Sequence, residues 1–490
     1  MSASFDPAWL WLAPAVPLAG ALLTPLAARR PALRDAWALV SALGLFVCVA
    51  WLAGAWWRAG APVLRSEGPE WWAGVVLAVH VEPLSMLFAS VASLLWVVTT
   101  VYSIGYMRAN REAHQGRYYF CFALALAATM LVAFAANLVT LFVAYELLTL
   151  ATYPLVAHKG DERARQGART YLAILLASSM GLFLPAIVWT HVLAGGTEFV
   201  SGGLLAGRLS PAVAAALLSM FVLGVGKAAV MPVHRWLPAA MVAPTPVSAL
   251  LHAVAVVKAG VFTLCKIVFY IFGPAELAAL GAQEAALLLA GFTVVAASLV
   301  ALRQVEFKRL LAYSTVSQLG YVVMAALLLA PLSRLGAVLH IAAHAFGKIT
   351  LFFAAGAVYT ALHKTRVDEL AGVGRRMPWT MAAFTVGALS MIGLPPTAGF
   401  VSKWFILAGA MDWQSVFVGT VLVLSTALNA GYFLPIVCRA FFREGDGRGF
   451  EEAPWPMVAA ITATAALTVG VFAAAGPLID LARMSVEVSP

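Results

Sequence analysis

Residues 335–360 read LGAVLHIAAHAFGKITLFFAAGAVYT, with no acid, one lysine and two histidines. A bilayer core of about 30 Å takes roughly 20 helical residues at 1.5 Å rise, so an apolar run of this length reads as a membrane-spanning helix. His340, His344 and Lys348 recur at i, i+4 and i+8. That spacing stacks them on one face of the helix. A lone histidine on an apolar face is usually a satisfied core residue. Two with a lysine on one stripe inside a membrane helix point instead to a wetted proton path.

The rest of the chain has the same character. Of its 490 residues 62% are hydrophobic and 11% charged, against roughly 45–50% and about 25% in an ordinary soluble domain. Fourteen apolar runs are separated by polar punctuation: 9–28, 36–57, 83–106, 118–135, 138–157, 169–194, 211–230, 246–271, 278–301, 310–330, 335–360, 379–409, 414–440 and 456–482. The seventh runs into Met231-Pro232, with a short second piece through Pro238 before Pro244. The twelfth contains Gly393-Leu394-Pro395-Pro396-Thr397-Ala398-Gly399, which an uninterrupted helix does not tolerate. The predicted class is therefore an all-α polytopic membrane protein of about fourteen spans, with the seventh and twelfth broken at Pro232 and at Pro395 and Pro396. The N-terminal stretch MSASFDPAWLWLAP has no basic region and no small-residue cleavage site before a polar chain, so it is expected to be a retained first span.

Loop charges test the count. Connections after odd-numbered runs hold 21 of the 31 Lys and Arg residues; those after even-numbered runs, with both termini, hold 5. Cations collect on the cytoplasmic side, so the alternation supports fourteen spans with both termini on the outer side. It also accounts for the net charge of +9 without nucleic acid, since no basic patch interleaves with exposed aromatics. Arg163, Arg165, Arg375 and Arg376 are read as topology determinants. Five cations remain inside the spans: Lys227, Lys258, Lys266, Lys348 and Lys403.

A lysine at mid-membrane costs about 2.5–3.5 kcal/mol on insertion scales and persists mainly when paired, wetted or carrying charge. A buried lysine also changes protonation readily. Glu146, in the middle of the fifth run, is the counter-charge expected to form an acid–base couple with Lys227; a fixed ion pair that merely orients two helices is the alternative. On the eighth run Ser248 and His252 share one face and Lys258 and Lys266 another. Lys258 is central enough to join the path, while Lys266, near the end, either joins it or snorkels to the interface. Lys403 follows the proline break of the twelfth run as Lys227 precedes that of the seventh, and broken helices mark ion sites in transporters. The pair of breaks suggests an inverted repeat, spans 4–8 against 9–13. His234 sits at the first break as a ligand, a cap or a path member. Glu82 opens the third span, as an interfacial or a functional residue.

Some chemistry is excluded. His340 and His344 resemble a zinc pair, yet no third or fourth ligand of suitable spacing accompanies them. Cys48, Cys121, Cys265 and Cys438 lie singly in apolar stretches and are expected to be inert, buried thiols. There is no CxxC cluster, glycine-rich nucleotide loop or haem motif, so no cofactor, metal or redox centre is expected in the chain.

Over roughly spans three to thirteen, the residues resemble the antiporter-like subunits of respiratory complex I, membrane-bound hydrogenases and Mrp-type Na+/H+ antiporters. The resemblance is strongest in KAAVMPVHRWLPAAMVAPTPVSALLH (227–252), KRLLAYSTVSQLGYV (308–322) and GLPPTAGFVSK (393–403). It implies fourteen helices, two inverted five-helix repeats and a central hydrophilic axis. By motif position it carries over Glu146 on the fifth helix, Lys227 on the seventh, His252 and Lys258 on the eighth, His340, His344 and Lys348 on the eleventh, and Lys403 on the twelfth. One membrane domain over 1–490 then divides into spans 1–3 (1–110), a first repeat (111–275), a second repeat (276–445) and the last span with the C-terminus (446–490). The twelfth-helix site is Lys where one complex I member carries Glu. DELAGVGRRMP (368–378) and the length look most like the Mrp D subunit, whereas LATYPLVAHKGDERARQGARTYL (150–172) departs from it. The expected function is proton translocation in a multisubunit cation (Na+)/H+ antiporter, with a redox-driven complex I-like or hydrogenase pump as the alternative. The expected partners are other membrane subunits, in a bacterial-type inner (plasma) membrane.

Overall fold

The computed structural model describes residues 5–72, 75–445 and 449–487; Arg448, counted above among the loop cations, lies outside them. Among the described residues twelve helices are long and apolar enough to cross a membrane. In chain order the principal helices begin with α1 (Pro7–Ala27), α2 (Pro31–Arg58), α3 (Pro83–Ala109), α4 (Gln115–Phe134), α5 (Leu138–Val156) and α6 (Glu162–Ala194). Next come α7 (Pro211–Gly224), α8 (Thr245–Phe272), α9 (Glu284–Leu302), α10 (Phe307–Leu327) and α11 (Pro331–Leu362). The chain then forms α12 (Pro378–Ile392), α13 (Ala398–Asp412), α14 (Val416–Phe442), α15 (Trp455–Ala473) and α16 (Gly476–Glu487). The two predicted spans outside the set of twelve are the broken ones. The seventh ends as α7 at Gly224 and continues in short turns; the twelfth is α12 and α13 end to end.

Burial is graded in a way that only a membrane explains. The apolar windows of α8 and α11 are 100% buried and that of α10 is 94% buried, while those of α2, α6 and α15 are 33% buried. The outer helices expose large apolar side chains such as Leu26, Val192, Val416 and Phe442. In water such patches would drive association; in lipid they match the solvent. The inner helices carry the ionisable residues instead. α11 packs against α3, α8, α10, α12, α13 and α15, so the histidine–lysine stripe lies at the centre of the bundle.

The all-α polytopic class holds, with one addition among the described residues: an antiparallel hairpin between α2 and α3, β1 (Leu64–Trp72) and β2 (Val75–Val81), in the register Leu64↔Val81, Arg65↔His80 and Glu67↔Ala78. Its short strands carry too little periodicity to stand out beside long helices. The last span stops at Ala473 rather than 482, because Pro477 lacks an N–H and opens a separate helix, α16. Of the four thiols, Cys121 and Cys265 are buried, Cys48 is half-buried and Cys438, on α14, is exposed, so the expectation of four buried thiols is corrected.

The breaks are built from local chemistry. After α7 the chain turns at Gly226–Ala228, and Ala229 takes a left-handed φ of 55°. The freed Gly226 carbonyl accepts from Trp236 Nε1 at 2.8 Å, and Met231 N donates to Thr293 Oγ1 at 3.1 Å. At the second break Gly393 has φ +92°. Gly399 lies so close to α12 that an added Cβ would stand 1.8 Å from the Ser390 carbonyl oxygen. Gly399→Ala should therefore destabilise the fold by about 1–3 kcal/mol through overpacking. Gly419→Ala, whose methyl meets nothing within 4 Å, should leave stability unchanged. Melting temperatures of both variants in detergent check this, and equal melting would refute the close approach at the break.

Candidate functional site

The five lysines inside the spans are all buried, Lys403 the least at 5% exposed. Among the described residues, only Lys266 of the five has a carboxylate partner; the others are held by neutral groups. The Lys227 ammonium donates to the Tyr145 carbonyl at 2.8 Å and to Thr149 Oγ1 at 2.6 Å, and lies 3.1 Å from the Tyr145 ring centroid. Those partners sit on α5 because Tyr145 and Thr149 are one turn apart. Glu146, the residue next to Tyr145 on α5, forms neither a hydrogen bond nor an ion pair with Lys227. Both its carboxylate oxygens are shielded and lack a hydrogen-bond partner in the chain. The couple is thus open, with no hydrogen bond between the two side chains. Gly260 of α8 presses on the Lys227 backbone, where an added Cβ would stand 2.3 Å from its carbonyl carbon.

The second half is joined more closely. Lys258 Nζ lies 2.6 Å from His344 Nδ1. His344 and His340 have ring centroids 6.1 Å apart, as four residues of helix dictate. His340 Nδ1 is 2.8 Å from Ser402 Oγ, and its Nε2 is 3.0 Å from Gln318 Oε1. Gln318 Nε2 donates to the Met391 carbonyl, which also accepts from Lys403 Nζ at 2.8 Å. Lys403 donates to the Ile392 carbonyl as well, at 3.0 Å. Two carbonyls left over at the end of α12 thus hold the ammonium, and the negative end of a helix dipole favours it. Lys348, the third member of the stripe, donates to Ser314 Oγ at 2.7 Å. His252 is fully buried, its ring 4.8 Å from that of Phe352, with neither nitrogen hydrogen-bonded.

Not all the predicted residues share this line. His234 lies off it, 6.2 Å ring to ring from Tyr313 on the cation-rich side. Lys266 does not snorkel: it is buried at the far end of α8 against Glu82 and His80. Sequence reasoning missed His80, Ser314, Gln318 and Ser402. The signal was present for Ser314 and Gln318, polar residues one turn apart on one face, but Thr315 and Ser317 lie between them and hydroxyls and amides recur too often in helices to stand out.

A cavity of about 780 Å³ opens on the cation-rich face, lined among others by Lys159, Arg163, Arg235, Glu306, Lys308 and Thr245. Lys308 Nζ donates there to the Ala243 carbonyl at 2.5 Å. Near this face burial lifts the Glu112 carboxyl above its usual range, and Lys159 and Lys308 pull it back. Burial together with Arg117 pushes the His158 imidazole down to about 4, so that ring is neutral at pH 7. A second cavity of about 220 Å³, bordered by Phe400, Trp404 and Leu422, reaches Lys403 from the side of α14.

Residues 135–429 match the family described as NADH:quinone oxidoreductase/Mrp antiporter, TM. The chain is 34% identical over 384 residues to NADH-quinone oxidoreductase subunit N of Desulforudis audaxviator, an alignment covering 76% of this chain and 74% of that one. It is 32% identical over 490 residues to NADH-quinone oxidoreductase subunit L of Mycobacterium tuberculosis, covering 94% and 74%. With F(420)H(2) dehydrogenase subunit N of Methanosarcina mazei it shares 31% over 429 residues, covering 83% and 84%. Among solved structures it matches a chain of the archaeal membrane-bound sulfane sulfur reductase with a TM-score of 0.87 at 23% identity, over 98% of this chain and 97% of that one. It matches a chain of the Mrp complex from Dietzia sp. DQ12-45-1b with a TM-score of 0.86 at 20% identity, over 97% and 96%. Those two likenesses are of fold alone, whereas the matched segment 135–429 takes in every residue from Glu146 to Lys403. The chain belongs to the NADH:quinone oxidoreductase/Mrp antiporter family of membrane subunits.

Proposed function

We propose that the chain is a proton-translocating membrane subunit of a redox-driven complex of the complex I or hydrogenase type. The observation that carries this reading is the chain of contacts from Lys258 through His344 and His340 to Lys403. These groups are buried and can take up and release a proton; Lys258 touches His344, the two imidazole rings are 6.1 Å apart, and His340 and Lys403 are joined through Gln318 and the Met391 carbonyl, with water to complete the transfers. A proton leaving Lys258 Nζ binds His344 Nδ1, and the imidazolium sheds its other proton from Nε2 toward His340. The Gln318 amide cannot accept a proton and pass it on, so it orients His340. The Ser402 hydroxyl can do both and lies beside Lys403. Glu146 and Lys227 form the other end, where the open couple lets the carboxylate approach or leave the ammonium.

The driving force lies outside this chain in the proposed reading. Its relatives' names, subunits of NADH-quinone oxidoreductase and of F(420)H(2) dehydrogenase, support redox coupling over the exchange of Na+ and over the Mrp D subunit. In the native complex, purified with its partner subunits and sealed into vesicles, an electron donor should drive proton movement. Proton movement driven by a Na+ gradient without a donor would instead establish the antiporter.

Glu146→Gln and Lys227→Ala should each lower proton translocation at least tenfold in those vesicles with the complex still assembled. A wild-type rate in either variant would sink the axis. His340→Ala with His344→Ala should do the same, and Gln318→Leu should slow flux several-fold by releasing the His340 ring. If the double histidine variant leaves flux unchanged, the two rings are packing residues.

A further inference from the structure

The axis described so far leaves unused a buried charged cluster at the far end of α8. Lys266 Nζ stands 2.8 Å from Glu82 Oε1, 2.6 Å from His80 Nε2 and 3.1 Å from the Ala135 carbonyl oxygen. His80 Nε2 is 3.7 Å from Glu82 Oε1, which also accepts from Ser85 Oγ at 3.3 Å. Four parts of the chain meet here: β2 supplies His80, the turn before α3 Glu82, α8 Lys266, and the end of α4 Ala135. The hairpin is fastened to this place. Val79 bridges to Ala135, Ala78 N donates to Thr140 Oγ1, Ala136 N donates to the Ala78 carbonyl, and Asn137 Nδ2 donates to the Val76 carbonyl.

We propose that His80, Glu82 and Lys266 form a proton gate through which Lys258 exchanges with water on the face opposite the cation-rich cavity. This inference rests on the axis proposed above and adds a second opening to it. The placement of α8 is its main support. Thr245, the first residue of that helix, lines the cavity on the cation-rich side. His252, Lys258 and Lys266 then follow along one fully buried helix, and Lys266 lies about 12 Å beyond Lys258 at 1.5 Å per residue. The helix thus carries titratable groups from one face of the membrane to the other.

What covers the cluster also fits a gate. Half-buried Phe199 lies over the Lys266 ammonium, 4.1 Å from ring centroid to Nζ, and its ring is 6.1 Å from that of His80. Just outside, Arg65 pairs with Glu67 at 3.4 Å and with Glu198 at 3.9 Å, and all three side chains are exposed. Arg65 is the register partner of His80 across the hairpin. Phe199 thus covers the triad next to a charged, exposed rim, with Glu198 its neighbour in sequence and Arg65 opposite His80 in the hairpin.

A static ion pair accounts for this poorly. Buried pairs are often no more stable than apolar residues of equal volume, and a pair needs no imidazole on the same ammonium. In the proposed step an N–H bond breaks at Lys266 Nζ and forms at His80 Nε2, giving an imidazolium; its Nδ1 proton then leaves to water at the rim, and the neutral Lys266 amine takes its next proton from Lys258 through intervening waters. Glu82 remains ionised throughout and faces first the ammonium, then the imidazolium.

The test uses the intact native complex in sealed vesicles. The pair-deleting variant E82Q/K266M leaves no unpaired charge, and H80Q keeps a hydrogen-bonding side chain and the ion pair while removing the titratable ring. Both should assemble and lose proton flux at least tenfold. Wild-type flux in either would overturn the gate. Glu146→Gln in the same vesicles separates the two readings, because loss there with wild-type flux in both gate variants defeats the gate alone.

Discussion

A lysine taken out of water must keep a counter-charge, find oriented dipoles or share its proton. Five lysines lie in the interior of this bundle, and the arrangement of the molecule follows from how each is accommodated. Lys266 alone has a carboxylate, Glu82. Lys227 and Lys403 take main-chain carbonyls, Lys348 takes a hydroxyl and Lys258 takes an imidazole. Neutral partners of this kind stabilise the ammonium enough to bury it without locking it in place. A bundle in which every lysine were closed off by a carboxylate alone would be as well ordered and would hold its protons more firmly; Lys266 has His80 beside its carboxylate as a proton acceptor.

The breaks in the seventh and twelfth spans supply some of those dipoles. A continuous helix spends its carbonyls on its own N–H groups; an interrupted one leaves them over at its end. The last carbonyls of α12 hold Lys403, and the turn after α7 carries Lys227 on a short loop that Trp236 and Thr293 fasten. Glycine is required where the pieces come close, at Gly260 against Lys227 and at Gly399 against Ser390. Elsewhere the helices need only be apolar outside and tightly packed within, which explains how long stretches of the chain carry no functional residue.

Much of the fold was legible because a bilayer imposes a length and a composition on every segment. Fourteen runs, two with proline breaks, and a lopsided distribution of loop cations specify the topology without any pairwise contact. The stripe on α11 was legible for the same reason, since helical spacing alone aligns its three members. The unread features depend on contacts between distant segments. Nothing in the order of residues 80, 82 and 266 joins them until β1 and β2 form and α8 packs beneath. Gln318 and Ser402 look like ordinary helix polar residues until His340 stands between them. Glu146 was expected to pair with Lys227; no hydrogen bond joins them, because the Lys227 ammonium is taken by the Tyr145 carbonyl and Thr149 of the same helix, which spacing alone does not encode.

The central claim is that protons pass through the contact between Lys258 and His344 at the middle of the bundle. It is tested most directly by counting protons translocated per electron pair in the sealed native complex when Lys258 is replaced by Met, a residue of similar length that carries no proton. The ratio should fall below that of the wild-type complex while the subunit remains assembled. An unchanged ratio would contradict the axis.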